Sequence, residues 1–344
     1  MSVPDRDPVD PVSTSEDDVL AGLAGLGLLQ PGERPVLEPL GGGVSSEIWK
    51  VSTFGGDLCV KRALARLKVA AIWEAPLERS HFEAEWMRVA GAIRPDNVPE
   101  LIAEDVGRHL VVMRFLPPEK FRLWKTMLRD GHADAGFAAQ VGRVLSAIHA
   151  ATADDPAIAA RFATDAAFHA IRLEPYLEAT ARKHDDVSDR LFELSAATAA
   201  TRRCLVHGDV SPKNMLVGPK GPVILDAECA WFGDPAFDLA FVLNHLLLKC
   251  LWTPVSSTGF LGCFATLAES YAAGVTWEPA AGLEARVAAL LPGLMLARID
   301  GKSPVEYITA EADRNKVRGF AIPLLKQPAA RPADIAERWR KEIA

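Results

Sequence analysis

The chain has 344 residues, and 49% of them are apolar, enough to bury a sizeable core in one large or two modest domains. Lys plus Arg is 38 against 45 for Asp plus Glu, a formal net charge of −7, which argues against a nucleic-acid binder and weakly against anchoring on an anionic membrane. The five cysteines are Cys59, Cys204, Cys229, Cys250 and Cys263; they form no C-x-x-C pair, so buried thiols in a reducing compartment are expected.

Residues 1–17 are rich in Pro, Asp and Ser and are expected to be disordered. They lack a basic region followed by an apolar one, so no signal peptide is read there. No apolar run looks long enough to span a membrane; the longest, Phe237 to Trp252, is interrupted by Asp238, Asn244, His245 and Lys249. A cytoplasmic protein follows as the expectation.

A short helix is predicted from about Glu16 to Leu28. The stretch VLEPLGGGVSSEIWKVSTFGGDLCVKRA reads as two strands around a Gly-rich turn, then a turn at Gly55-Gly56 and a third strand from Asp57 to Arg62. A helix follows over about Pro76–Ile93. Leu101–Asp105 and His109–Phe115 read as an antiparallel pair ended by Pro117-Pro118. Beyond this strand-rich third the pattern is mainly helical, with Val141, Val144, Leu145 and Ile148 at helical spacing. Cys204–Leu225 breaks it with a compact strand–loop–strand–turn–strand block. A long apolar helix opens at Asp234-Pro235, where Asp suits the N-cap and Pro the first helical position. The C-terminal helix, from Pro332, is amphipathic. The expected organisation is an N-terminal tail (1–17), a small β lobe (18–115) and a large helical lobe (116–344), with a cleft between the lobes.

The stretch that carries chemistry is CLVHGDVSPKNMLVGPKGPVILDAECAWFGDPAFDLAFVLNHLL. His207-Gly208-Asp209 follows a short strand, Asn214 lies five residues after Asp209, and a hairpin then delivers Asp226. Phosphoryl transfer asks for such a set: a carboxylate to orient the hydroxyl and take its proton, and carboxylate and amide oxygens to hold Mg²⁺ against a polyphosphate. In the small lobe Lys61 ends a strand, from which it can reach nucleotide phosphates and pair with a helix glutamate, Glu83 or its rival Glu85. Gly42, Gly43 and Ser45 lie in a turn whose backbone N–H groups could cradle phosphate. Met113 and Phe115 begin the linker expected to contact the adenine. His207 is read as structural support for its loop. Asp238, in a helix apolar nearly all round, is read as buried and hydrogen-bonded.

The run HGDVSPKNMLV…VILDAE…GDPAFDLA resembles the aminoglycoside phosphotransferase and choline kinase superfamily, which carries HGD where protein kinases carry HRD. The resemblance implies an α+β, protein-kinase-like two-lobe fold and a phosphotransferase that uses ATP or GTP with Mg²⁺ on a small-molecule hydroxyl. It implies Asp209 as catalytic base, Asn214 and Asp226 as metal ligands, and Asp238 as the brace of the catalytic-loop backbone. The Asp226-Ala227-Glu228 order is similar to the pattern of 5-methylthioribose kinases. It makes Glu228 a second candidate metal ligand and tilts the acceptor towards a sugar-like hydroxyl. Arg298 is a candidate acceptor contact by position, with Asp300 and Lys302 beside it.

A methylthioribose-like sugar, an amino alcohol, an aminoglycoside and a protein-bound sugar all stay open as acceptors. The alternative from another class is a catalytically silent kinase-like protein that binds nucleotide or a partner. Its mark would be loss of Lys61, Asp209, Asn214 or Asp226, and all four are present. Nothing in the sequence indicates an oligomeric state.

Overall fold

The computed structural model describes residues 15–41, 46–64 and 76–344. The chain divides into two compact units, one of residues 1–80 with 102–115 and one of residues 81–101 with 116–344. Of the expected N-terminal tail, residues 1–14 lie outside the described residues, as do Gly42, Gly43 and Ser45 of the Gly-rich turn.

In the first unit, strands β1 (Val36–Pro39), β2 (Ser46–Thr53), β3 (Gly56–Ala63), β4 (Leu101–Asp105) and β5 (Leu110–Arg114) form one sheet in the order β1-β2-β3-β5-β4. The β1–β2, β2–β3 and β3–β5 pairs are antiparallel. The side-chain alternation of the strands decides its two faces. Trp49, Val51, Leu58, Val60, Leu110 and Val112 turn to one side, where Val19 and Leu23 of the helix Ser15–Gly25 close the core. That helix lies close: a Cβ on Gly22 would meet Leu110 Cδ1 at 2.3 Å. Lys61 falls between Val60 and Arg62, in register with Ile48 and Val111, and is 5% exposed.

The second unit is mainly helical. The helix Arg79–Ile93, shorter at its start than the pattern predicts, contributes Glu83, Glu85 and Trp86. The long helices are Ala135–Thr152, Ser188–Ala200, Pro235–Trp252, Ser257–Ala272, Ala280–Asp300 and Glu311–Lys326, with Pro332–Glu342 at the end. Two small sheets are set among them. Strands β6 (Arg122–Leu123), β8 (Met215–Gly218) and β9 (Gly221–Ile224) form one, and β7 (Cys204–Val206) pairs antiparallel with β10 (Trp231–Gly233) in the other. The fold combines an antiparallel sheet with many helices, the α+β class that the sequence implies.

One expectation needs correction. Pro235–Trp252 and Ala280–Asp300 are each long and apolar enough to cross a membrane by length and composition. Their windows are 89% and 61% buried inside the protein, so their apolar surface is used as core. The charges on 235–252 that looked like interruptions are inside as well: Asp238 is fully buried and Lys249 is 1% exposed.

Candidate active site

The loop after β7 is held by one carboxylate. Asp238 Oδ2 accepts from the His207 backbone N–H at 2.7 Å, and Oδ1 accepts from Gly208 N–H at 2.8 Å. Two backbone donors that the tight loop leaves without a strand partner are thereby satisfied. His149 Nε2 lies 3.3 Å from the same Oδ2, and its Nδ1 meets the Tyr271 hydroxyl at 2.7 Å. Gly208 sits at φ 79°, and a Cβ there would strike Cys229 O at 2.6 Å, so both conformation and space require glycine.

His207 is 1% exposed. Its Nδ1 accepts from Asp209 N–H at 3.1 Å and its Nε2 meets Leu225 O at 3.0 Å. A carbonyl can only accept, so Nε2 carries the hydrogen and the ring is neutral in this arrangement. Burial pulls its pKa down, against nearby Asp238, Asp209 and Asp226. Trp86 packs its ring edge-on to His207 at 4.9 Å. The imidazole thus ties the loop to the strand end that delivers Asp226.

Asp209 is 3% exposed and carries two cations. Arg172 Nη2 lies 2.9 Å from its Oδ2 and Lys213 Nζ 3.1 Å from the same oxygen. Burial favours the neutral acid, but Lys213 and Arg172 together hold the carboxyl below its ordinary range. Of the two, Arg172 has the firmer grip, because its side chain is 8% exposed while that of Lys213 is 49% exposed and screened by water. Arg172 Nε also donates to Gly208 O, and Nη1 to Ile171 O at 2.6 Å. The result is an ionised carboxylate, fixed in place, suited to accept a hydrogen bond from a hydroxyl more than to pull its proton off early.

Neither cation is among the residues singled out from the sequence. Lys213 had a signal, since it stands four residues after Asp209 within the loop. Arg172 had little: it lies in a π-helical stretch, His169–Glu178, that contains Pro175. Proline removes an N–H and widens the turn, and such stretches recur at functional sites.

Asn214 Nδ2 donates to Asp209 O at 3.0 Å, which leaves its Oδ1 as the atom able to bind a cation. Asn214 O accepts from Leu225 N–H at 2.9 Å, linking the loop to β9. Asp226, just past β9, has φ 68°, an unusual conformation for a residue with a side chain and common at sites under functional constraint. Glu228 follows two residues on and is half-buried. Carboxylate and amide oxygens are the hard donors that a divalent cation such as Mg²⁺ takes. Asp234 caps the helix 235–252, accepting from Ala236 N–H at 3.0 Å, and also pairs with Arg286 at 3.0 Å.

Arg298 is 8% exposed; its Nη1 meets the Tyr176 hydroxyl at 3.3 Å and Ser303 Oγ at 3.0 Å. The neighbouring charges are engaged elsewhere. Asp300 pairs with Arg318 at 2.7 Å and His184 at 2.9 Å, and Lys302 with Glu174 at 2.7 Å. On the helix 79–93, Glu85 is bound by Arg161 and Arg88, and Glu83 is 2% exposed. In the first unit, Arg62 pairs with Asp18 at 2.9 Å, Met113 is in register with Cys59, and Lys50 lies 5.4 Å from the Phe115 ring centroid.

Known proteins are similar to this chain in sequence and in fold. Two rice methylthioribose kinases are 23% and 22% identical over 241 and 239 residues, each alignment covering 62% of this chain and 56% of the relative. The chain thus spans little more than half the length of these relatives. A methylthioribose kinase of Pectobacterium atrosepticum is 24% identical over 272 residues, covering 70% of this chain and 67% of the relative. Among solved structures, an amicoumacin kinase in complex with AMP-PNP, Ca²⁺ and its ligand is similar at a TM-score of 0.54 with 15% identity, covering 93% of this chain and 96% of that one. A choline/ethanolamine kinase family protein from Mesorhizobium loti is similar at 0.51 with 16% identity, covering 94% and 98%. The model of the phosphotransferase enzyme family matches residues 36–294, from β1 through the loop 207–214 and into the helix that carries Arg298, and the chain belongs to that family.

Proposed function

We propose that the protein is an ATP-dependent phosphotransferase that moves the γ-phosphoryl group onto a hydroxyl of a small molecule. The observation that carries this reading is the pinned, ionised Asp209, with Asn214 hydrogen-bonded to it and Asp226 delivered by the next hairpin. In this reading Asp209 receives the acceptor hydroxyl, aligns its oxygen with the phosphorus and takes the proton late, when the P–O bond is largely formed. Arg172 and Lys213 keep Asp209 ionised and limit its movement, and Lys213 also offers a charge to the transferred group.

Asn214, Asp226 and Glu228 would hold Mg²⁺, which when bound neutralises the polyphosphate charge. Lys61 is the proposed contact to the nucleotide phosphates, with Glu83 as its orienting carboxylate and Gly42, Gly43 and Ser45 as a phosphate-facing turn. Met113 and Phe115 are proposed to flank the base. His207 and Asp238 support the loop. A small molecule is the proposed partner, and the cytoplasm the proposed compartment. Acceptor-dependent ADP release in the presence of Mg²⁺ tests the reading. It stands if Asp226→Ala abolishes the release while the variant keeps its fold, and it falls if Asp226→Ala turns over within about tenfold of the unchanged chain.

A further inference from the structure

Polar groups in the second unit beyond those used above bear on the acceptor. Asp238, Phe241, His245, Lys249 and Trp252 recur every three or four residues, so they share one face of the helix 235–252. That face starts at the loop brace and continues through ring contacts. Phe241 lies 5.5 Å from Tyr176 and 5.5 Å from His245. The Tyr307 hydroxyl is 3.5 Å from His245 Nδ1, and its ring stacks on Trp252 at 4.5 Å. Tyr176 in turn takes the guanidinium of Arg298 at 5.7 Å and that of Arg172 at 5.8 Å, and Arg172 holds Asp209.

This lining has buried donors with nothing to donate to. Among the described residues His245 Nε2 and Arg298 Nε make no hydrogen bond, although the residues are only 5% and 8% exposed. The Tyr307 hydroxyl can give its hydrogen to His245 Nδ1, and in that arrangement Nε2 bears the ring hydrogen. Buried donors without acceptors are costly and call for a partner that only accepts.

Charge points the same way. Burial, then Arg298, Lys249, Lys213 and Lys125, hold His245 well below its ordinary pKa, so four cations bear on one ring. The acids near them are already engaged, Asp209 by Arg172 and Lys213 and Glu306 by Lys125. The aromatic pair that could receive an ammonium from a ligand is filled from within. Lys249 Nζ lies 4.2 Å from the Trp252 ring centroid and 4.3 Å from that of Tyr307.

We propose that the acceptor is a hydroxylated carboxylate, of the sugar-acid type, whose carboxylate is received by Arg298 Nε and His245 Nε2, and that amine-bearing acceptors are rejected. The inference rests on the phosphotransferase reading and narrows it. An ammonium entering this site would meet Lys125, Lys213 and Arg298 and find its ring cage taken, a repulsive element that sets specificity.

The test uses matched trios on the full-length protein: gluconate, glucose and glucosamine; glycerate, glycerol and serinol. Acceptor-dependent ADP release is followed with ATP and Mg²⁺. In at least one trio the acid should exceed its neutral and amino counterparts in kcat/KM by about tenfold or more. Arg298→Gln should raise KM for that acid about tenfold with kcat within about threefold, as loss of uniform binding requires, and Arg298→Lys should restore part of it. Because a change at buried Arg298 can unfold the protein, a second measurement uses the unchanged chain: with AMP-PNP and Mg²⁺ present, the acid and not the amine should raise Tm. An amine or neutral member turned over as well as its acid overturns the inference and leaves the kinase reading intact. So does nucleotide binding with no acid turned over or bound. Absence of both Asp226-dependent nucleotide binding and turnover overturns the kinase reading, and the inference goes with it.

Discussion

The loop 207–214 and the lining around His245 and Arg298 lie in the same unit and are both buried, yet they are finished to different degrees. In the loop, Asp238 satisfies two backbone donors, His207 bridges Asp209 to Leu225, and Asp209 carries two cations. In the lining, His245 Nε2 and Arg298 Nε have no partner among the described residues. Groups that act on the reacting atoms must be held before substrate arrives, because reorganising them during the reaction would raise the barrier. Groups that recognise an acceptor are completed by it. The contrast is one of degree, since within the loop Ser211 Oγ is also buried without a partner among the described residues.

Substitutions can break this comparison, beginning with the largest effect. Asp226→Ala should lower Mg²⁺-dependent turnover on the order of 10³-fold or more, since charge neutralisation is most of the task. Steady-state kinetics beside a thermal melt would separate this from unfolding. Asp209→Asn keeps shape but cannot take the proton, and kcat should fall on the order of 10²-fold with nucleotide KM little changed. His207→Ala should show the opposite profile, a lower Tm and a smaller loss of kcat, because the ring bridges backbone groups and packs on Trp86. A stably folded but dead His207 variant beside an active Asp209→Asn would reverse these roles.

The brace gives the next effect. Asp238→Asn presents one acceptor oxygen where His207 N–H and Gly208 N–H now use two, so one buried donor faces an NH₂ group. A loss of about 2 kcal/mol in unfolding free energy is expected from denaturant titration. An unchanged midpoint would mean that the loop does not depend on this carboxylate.

A pH-dependent effect sharpens the lining's side of the comparison. Burial, with Lys125 and Arg298 nearby, lowers Lys249 from 10.5 to about 7. Between these values the unfolded chain binds a proton that the folded chain releases. Lys249 therefore makes stability rise with pH from about 7 to 10.5, by up to about 1 kcal/mol per pH unit, and adds no slope below 7. Lys249→Met should remove that rise, measured as unfolding free energy against pH. A rise that persists in the variant belongs to other groups.

The sequence by itself determined the parts that depend on local order. Strand periodicity and turn residues marked β2, β3 and the catalytic hairpin. The spacing of His207, Asp209, Asn214 and Asp226 along one short stretch marked the chemistry, because a loop of fixed length brings such residues together whatever surrounds it. Asp234-Pro235 marked the start of its helix for the same reason. The tertiary structure decided what depends on distant segments meeting. Arg172 stands 37 residues before Asp209, and no local pattern sets it apart from any other helical arginine until a π-helical stretch turns it onto that carboxylate. Asp238, His245 and Lys249 looked like interruptions of a membrane span, though not of the helix predicted from Pro235. The helix accommodates them through partners across the fold: Asp238 accepts from loop backbone, and Lys249 lies over two aromatic faces, although burial still lowers its pKa to about 7. Burial of a charge is affordable only where such partners converge, and convergence is a property of packing that no single stretch of sequence contains.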